Sequence, residues 1–488
     1  MGEMTRRSFV GAATAAAVAA PIMGMAMGDA NEALAYQEGD YPQVPIEEDI
    51  AAATGFVGTP KDIERLGGST MPLEALNMYR KKYIDAQTDY TYSDGTVIPA
   101  VFVKVRALIN TYGTGWGNEY KDAMFDDLMR EMSEDDAQAF LEMPYGQEFR
   151  AYDFHAASGR PLEECAELCE RLANVGYLFR RYTSGGIRYH QMGLVQGLGE
   201  IRSIMHLETE PNFNNNMTGP DFLSDQEFGG TYLLQTIPCN KDLVVESGVM
   251  PYDDVEEIIN AADYFAVAPC ACRYGAIYRG GVEGAPNRAD FQTGEFEDYL
   301  SPLCDFRVET CLHMGDEARY HVSVGNAREI TREEAMGLMR RSVDDGLILQ
   351  RLFSKDAQTI CSCQVGCCNY LMGLAALGAA ADTCRPFDQM RSHYELEVDR
   401  EACIKCGACA QRCPMNVIQM DEEDGPVIAN ETYGQLCMRC GQCAIVCPAG
   451  ARTLVPRPAE ELLPLPQNIL DDHNLKAAYR FEHGMLPF

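Results

Sequence analysis

Three stretches of the chain space their apolar residues as helices do. EYKDAMFDDLMREMSEDDAQAFLEMP (119–144) is read as one helix and PLEECAELCERLANVG (161–176) as a second. The third is REITREEAMGLMRRSVDDGLIL (328–349), where Thr331 and Glu334 form a capping box and Ala335, Leu338, Met339 and Val343 make the apolar stripe. Elsewhere the pattern alternates. YLFRRYTSGGIRYHQM (177–192) predicts two strands about Ser184-Gly185-Gly186, and NVIQMDEEDGPVIAN (416–430) two short strands about an acidic turn. GARTLVP (450–456) predicts another strand, and residues 36–60, rich in Pro, Gly and acid, an extended lead-in. YLMGLAALGAAAD (370–382) is apolar but too short to span a bilayer.

With 488 residues the chain has room for several domains and a substantial core. A formal charge of −33 argues against nucleic acid, whose phosphates repel such a surface. The opening segment narrows the picture. Arg6 and Arg7 lie in Thr-Arg-Arg-Ser-Phe-Val, an Ala-rich run broken by Pro21 follows, and Ala33-Leu34-Ala35 offers a cleavage site. This is the layout of a twin-arginine export signal, with no permanent span, and predicts a periplasmic or extracytoplasmic location. That route carries folded proteins, so cysteines held by a metal before export escape oxidation.

Twenty cysteines are available. CIKCGACAQRCP supplies Cys403, Cys406, Cys409 and Cys413, and CMRCGQCAIVCP supplies Cys437, Cys440, Cys443 and Cys447. Both read C-x2-C-x2-C-x3-C-P, the spacing of bacterial two-cluster ferredoxins. Three cysteines two residues apart wrap one face of an iron–sulfur cube, glycines such as Gly407 and Gly441 let the backbone approach, and the fourth cysteine ligates the other cube. Cys403, Cys406, Cys409 and Cys447 are therefore expected on one [4Fe-4S] cluster, and Cys437, Cys440, Cys443 and Cys413 on the other. Four-cysteine zinc sites also use Cys-x2-Cys pairs, but not two complete runs each closed by proline.

Eight more cysteines lie upstream: Cys270 and Cys272 in APCACRYG, Cys304 and Cys311 in PLCDFRVETCLHMG, and Cys361, Cys363, Cys367 and Cys368 in TICSCQVGCCNYL. They predict one or two further iron–sulfur clusters, with zinc (joined by His313), disulfides and plain burial as the competing readings. Cys165, Cys169, Cys239 and Cys384 are read as small buried residues. No His-Glu-x-x-His pair, phosphate loop or dinucleotide fingerprint is present.

The order Cys-x-Cys-Arg, Cys-x6-Cys-Leu, Glu-Glu-Ala helix, Cys-x-Cys cluster and two ferredoxin runs resembles a family of 4Fe-4S dicluster proteins of anaerobes, over roughly residues 100–460. That family usually carries a denser cysteine run, and here Gln364 and Gly366 stand where cysteines are expected. The resemblance implies an α+β, multidomain chain. Its expected parts are a signal (1–35), a mixed segment (36–118), a winged-helix-like module (119–205), a cysteine-rich helical region (206–394), a ferredoxin domain (395–456) and a tail (457–488). The winged-helix-like module is read as a structural or docking unit, with Arg180, Arg181 and Arg188 available to an acidic partner. The expected function is single-electron transfer to or from an exported or membrane-bound redox partner, with no catalytic residue assigned. The alternative is a stand-alone exported reductase with an active-site cluster, or with a corrinoid as in the reductive dehalogenases, to which the Cys-x-Cys-Arg pattern is foreign.

Overall fold

A computed structural model describes residues 73–92, 94–112, 121–184, 186–193, 197–206, 234–239, 254–372, 390–428, 436–458, 462 and 465–482. The export signal, the extended lead-in and Cys384 lie outside them, as does most of 370–382. No helix among the described residues is long and apolar enough to cross a membrane.

The first part is helical: α1 (Leu73–Asp85), a short ladder β1 (Tyr90–Thr91) and β2 (Val97–Ile98), then α2 (Ala100–Tyr112), α3 (Lys121–Glu131), α4 (Glu134–Glu142), α5 (Ala151–Ser158) and α6 (Leu162–Asn174). The single helix expected over 119–144 is two. Ser133 stops the first and caps the second: its hydroxyl accepts the Asp136 N–H at 3.1 Å while the Asp136 carboxylate accepts the Ser133 N–H at 3.0 Å. β3 (Leu178–Thr183) and β4 (Gly186–Gln191) form the expected antiparallel hairpin. Asp127 of α3, fully buried, accepts the Tyr177 hydroxyl at 2.7 Å and pairs with Arg202 and Arg130. Arg202 belongs to α7 (Leu198–His206).

The region read as helical between 206 and 394 is instead organised by a six-stranded sheet. Its strands are β5 (Leu234–Ile237), β6 (Phe265–Pro269), β7 (Glu309–Met314), β8 (Arg328–Ile330), β9 (Ile348–Leu352) and β10 (Thr359–Cys363), in the order β5-β9-β10-β7-β6-β8. Every neighbouring pair is antiparallel. Helices fill the connections: α8 (Val255–Ala261), α9 (Ala271–Arg279), α10 (Arg288–Gln292), α11 (Gly315–Ser323) and α12 (Arg332–Asp344). These strands escaped notice because TCLHM and TICSC are interrupted by cysteines and histidine, which break the apolar count without breaking the period of two.

That period sorts the sheet into two faces. Ile237, Phe265, Val267, Leu312, Met314, Leu349 and Ile360 point one way and pack with Ala335, Leu338 and Met339 of α12 and Ile259 of α8. The stripe expected on α12 is the one buried, and Thr331 and Glu334 close its capping box. The intervening residues point the other way: Cys311 and His313 on β7, Thr359, Cys361 and Cys363 on β10, with Thr359 directly opposite His313. The polar and sulfur-bearing residues thus share a face.

The C-terminal part holds β11 (Tyr394–Val398), α13 (Ala408–Arg412), β12 (Ile418–Asp421), β13 (Gly425–Ile428), α14 (Gln442–Ile445) and β14 (Arg452–Pro456). β12–β13 is the acidic hairpin read from the sequence, and β11 pairs with β14. Beyond it the chain is not a tail. α15 (Ile469–Glu482) returns to the N-terminal helices, where Phe481 stacks on Tyr79 with ring centroids 6.0 Å apart and Asn474 donates to the Gly146 carbonyl at 2.7 Å. Phe481, Ala477 and Ala478 are buried there, which the acidic and polar start of the segment concealed.

Candidate functional site

The two C-terminal cysteine runs fold alike. The residue before the second cysteine of each is left-handed (Lys405, φ 56°; Arg439, φ 52°), and so is the glycine after it (Gly407, φ 77°; Gly441, φ 84°). Each glycine starts a single helical turn, α13 or α14, and the two turns pack on each other. Cys437, Cys440 and Cys443 of the second run and Cys413 of the first line one cavity of about 20 Å³, with Leu396, Pro414, Val417, Ile418, Met438 and Leu454 as its apolar wall. Burial pushes the Cys413 thiol up, and the backbone N–H groups of Val417, Met415 and Ile418 directed at its sulfur offset only part of that. Of the other four expected together, Cys409 is buried, Cys403 and Cys447 are half-buried and Cys406 is exposed; the Cys447 sulfur accepts the Ala451 N–H at 3.2 Å.

The eight upstream cysteines, scattered over almost a hundred residues, surround a second and larger cavity of about 110 Å³, seven of them as direct lining. Cys361 and Cys363 come from β10 and Cys311 from β7. Cys270 caps α9, directly after a register shift at Ala268/Pro269 that ends β6, and Cys272 follows in the first turn. Cys367 and Cys368 come from the turn after β10 and Cys304 from the loop before β7. The sulfurs touch in series: Cys270 meets Cys272, Cys272 meets Cys368, Cys368 meets Cys363, Cys363 meets Cys361 and Cys361 meets Cys311. Cys304 and Cys367 form a separate pair. No disulfide joins any of the described cysteines.

Within that series the acceptors are driven toward thiolate. Hydrogen bonds from Cys311 and Cys363 push Cys361 well down, and bonds from Cys272 and Cys363 do the same for Cys368. Cys304 falls to about 6, first through the Cys367 thiol and then through Arg273. Arg273, almost wholly buried, ties these segments together. Its guanidinium donates to the Arg307 carbonyl at 3.0 Å, Thr310 Oγ1 at 2.7 Å, the Ser362 carbonyl at 2.7 Å and the Cys367 sulfur at 3.4 Å. The Arg of Cys-x-Cys-Arg is therefore the counter-charge of a sulfur-rich site.

Gln364 and Gly366 act together where cysteines were expected. The Gln364 carbonyl accepts the N–H groups of Cys367 and Cys368 at 3.2 and 2.9 Å, and its Oε1 accepts that of Gly366 at 2.7 Å. A Cβ at position 366 would stand 2.8 Å from that same oxygen. The pair thus holds the turn that presents Cys367 and Cys368.

Residues not foreseen complete the wall. α11 brings Glu317 and His321 beside His313, and α7 brings Glu200 with Ile201 and Ile204. Burial pushes Glu317 up to about 7 and Glu200 to about 8, and pushes His313 well down and His321 to about 3. The signal for two of them was present as His313-x3-Glu317-x3-His321, but its first member is on a strand, so no helical His-Glu motif is visible. Met192, Leu234, Leu352 and Ile469 give the cavity its apolar side.

The two cavities share one packed core, which runs from Cys363, Cys368 and Tyr370 through Ile348 and Leu352 to Cys409, Cys440 and Cys443. At the junction the Cys239 N–H donates to the Cys440 carbonyl at 2.9 Å, and Gln442 donates to the Leu347 carbonyl at 2.8 Å. Cys239 is buried, as are Cys165 and Cys169. Arg180 and Arg181 are committed within the chain, Arg180 to Glu170 and Ser323 and Arg181 to Glu148 and Asp316, so these two do not await an acidic partner.

Residues 402–455 match the 4Fe-4S dicluster domain family. With the repeated backbone of the two runs, this marks residues 402–455 as an iron–sulfur dicluster domain. Among characterised proteins the chain is similar to an iron-sulfur subunit of the CoB–CoM heterodisulfide reductase of Methanopyrus kandleri, 44% identical over 57 residues. That stretch is 11% of this chain and 8% of the length of that protein. No solved structure matches the chain.

Proposed function

We propose that the chain passes single electrons between a redox partner and an iron–sulfur centre in the larger cavity, with the dicluster domain as the connecting wire. In this reading Cys437, Cys440, Cys443 and Cys413 hold one [4Fe-4S] cluster and Cys403, Cys406, Cys409 and Cys447 the other. The eight upstream cysteines hold one or two more. The observation that carries the reading is the convergence of all eight around one cavity, in the same packed core as the dicluster ligands. Buried thiols in contact, three of them driven toward thiolate and two of these, Cys304 and Cys361, also under the charge of Arg273, form a ligand set that iron–sulfur chemistry uses and that apolar burial does not call for.

The alternative, a reductase in its own right, is favoured by the size of the cavity. It exceeds the dicluster cavity about fivefold and has an apolar wall opposite the sulfurs. The Thr-Arg-Arg-Ser-Phe-Val segment supports export by the twin-arginine route and an extracytoplasmic partner. Replacing Arg6 and Arg7 by lysine is then expected to leave the protein in the cytoplasm.

Iron and acid-labile sulfide counted on anaerobically purified protein test the central reading. The expected value is about 12 or 16 irons per chain with matching sulfide, falling toward about 8 in a Cys363→Ser, Cys368→Ser variant that keeps the dicluster electron paramagnetic resonance signals. About 8 irons in the unaltered protein would remove the upstream centre, and stoichiometric cobalt would replace it with a corrinoid.

A further inference from the structure

The larger cavity also carries a group of different chemistry. β7 presents His313 on the cysteine face, the chain turns at Gly315 (φ 56°), and α11 sets Glu317 and His321 four residues apart against it. All three side chains are buried, and their ligating atoms lie within 4.8 Å of one another. The His313 and His321 rings are stacked, with centroids 3.8 Å apart.

The hydrogen-bond accounting leaves this group incomplete. His313 Nδ1 is engaged by Thr359 Oγ1 at 3.0 Å, while His313 Nε2 has no partner. His321 Nδ1 has none either, and His321 Nε2 stands 3.6 Å from the Glu317 carboxylate, beyond hydrogen-bonding reach. Buried polar atoms are normally satisfied, and imidazole nitrogens left over on both histidines beside a carboxylate at a cavity wall call for a further occupant.

We propose that His313, Glu317 and His321 bind one divalent first-row transition-metal ion, zinc or iron(II), distinct from any cysteine-held cluster. Two imidazoles and one carboxylate suit these ions and leave coordination positions open, whereas magnesium and calcium take oxygen ligands. Thr359 fixes the His313 ring through Nδ1, and Gln358 Oε1 accepts the Glu317 N–H at 3.0 Å, holding the start of α11. The open positions face the cavity, so a small oxygen-donor ligand on the ion would share that space with the sulfurs. Cys311 lies two residues from His313 on the same strand face. The site does not rest on the upstream cysteines holding a cluster.

The test uses the full chain purified without oxygen, on which iron, acid-labile sulfide and zinc are counted and the zinc K-edge X-ray absorption is recorded. The expected result is about one zinc per chain, or one iron in excess of sulfide, with any zinc surrounded by nitrogen and oxygen at about 2.0–2.1 Å and no sulfur near 2.3 Å. Protein isolated without the ion is expected to take up one equivalent of added zinc chloride with that same shell. His321→Ala and the milder Glu317→Gln are expected to lower occupancy at least tenfold while sulfide and the cluster signals stay unchanged. Zinc bound to sulfur, an ion retained in both variants, or iron equal to sulfide with no uptake of zinc would overturn the assignment. Loss of the upstream cluster reading would show in the sulfide count instead, so the two failures are separable.

Discussion

Replacing Arg273 by glutamine should separate what its fork holds from what its charge does. The guanidinium makes three bonds to neutral acceptors: the Arg307 carbonyl, the Thr310 hydroxyl and the Ser362 carbonyl. Hydrogen bonds from a charged group contribute roughly 1.5–3 kcal/mol each, and a glutamine amide reaches at most one of the three, so stability should fall by roughly 3–6 kcal/mol. The charge acts differently. At roughly 6 Å from a cluster and an effective dielectric of about 20, a buried positive charge favours an added electron by roughly 3 kcal/mol. That corresponds to about 120 mV for a one-electron couple. Anaerobic redox titration followed by electron paramagnetic resonance should therefore show the upstream centre shifted negative by about 100 mV, with the dicluster signals unmoved. Arg273→Lys should restore most of the potential but little of the stability, because the ammonium keeps the charge without the planar fork. A folded Arg273→Gln protein whose potentials are all unchanged would refute the placement of a redox centre beside this side chain.

Three further outcomes are expected. His190, buried with its pKa pushed down to about 4 by desolvation, stays neutral in the folded chain while an unfolded histidine titrates near 6.5. Its contribution is present above pH 6.5 and is lost as pH falls toward 4, a drop of about 3 kcal/mol that a His190→Phe variant should lack in denaturation profiles. Asp127→Asn should cost about 1.5–3 kcal/mol, because the buried Arg202 guanidinium keeps only Glu131, at 2.9 Å, as its counter-charge, read as a lowered denaturation midpoint with iron content unchanged. Thr331→Ala removes one side of the α12 capping box and should cost about 1 kcal/mol in the same assay; no change would mean that α12 is held by its packing on the sheet alone.

The parts of the molecule legible in the sequence are those where one local signal suffices. The dicluster runs announce themselves because an iron–sulfur cube imposes a fixed spacing, and α12 because Thr331, Glu334 and its apolar stripe agree. The central sheet was hidden for the reason that makes it useful. Cys311, His313, Thr359, Cys361 and Cys363 occupy every second position of β7 and β10, so half of each strand is chemistry rather than core. Glu317 and Glu200 were illegible because their place depends on packing: α11 and α7 reach the cavity only once the sheet has formed. α15 is illegible in the sequence because its partners, Tyr79 and Tyr112, lie hundreds of residues earlier in the chain.

That return of α15 orders events in time. Every described cysteine precedes residue 448, while Ile469, at the start of α15, lines the larger cavity and Phe481 fills the N-terminal core. During synthesis the thiols therefore leave the ribosome before the residues that close the cavity and the helical core. A chain not yet extended through α15 lacks Ile469 in the wall of the larger cavity and Phe481 in the helical core, so both are completed only after every described cysteine has been made.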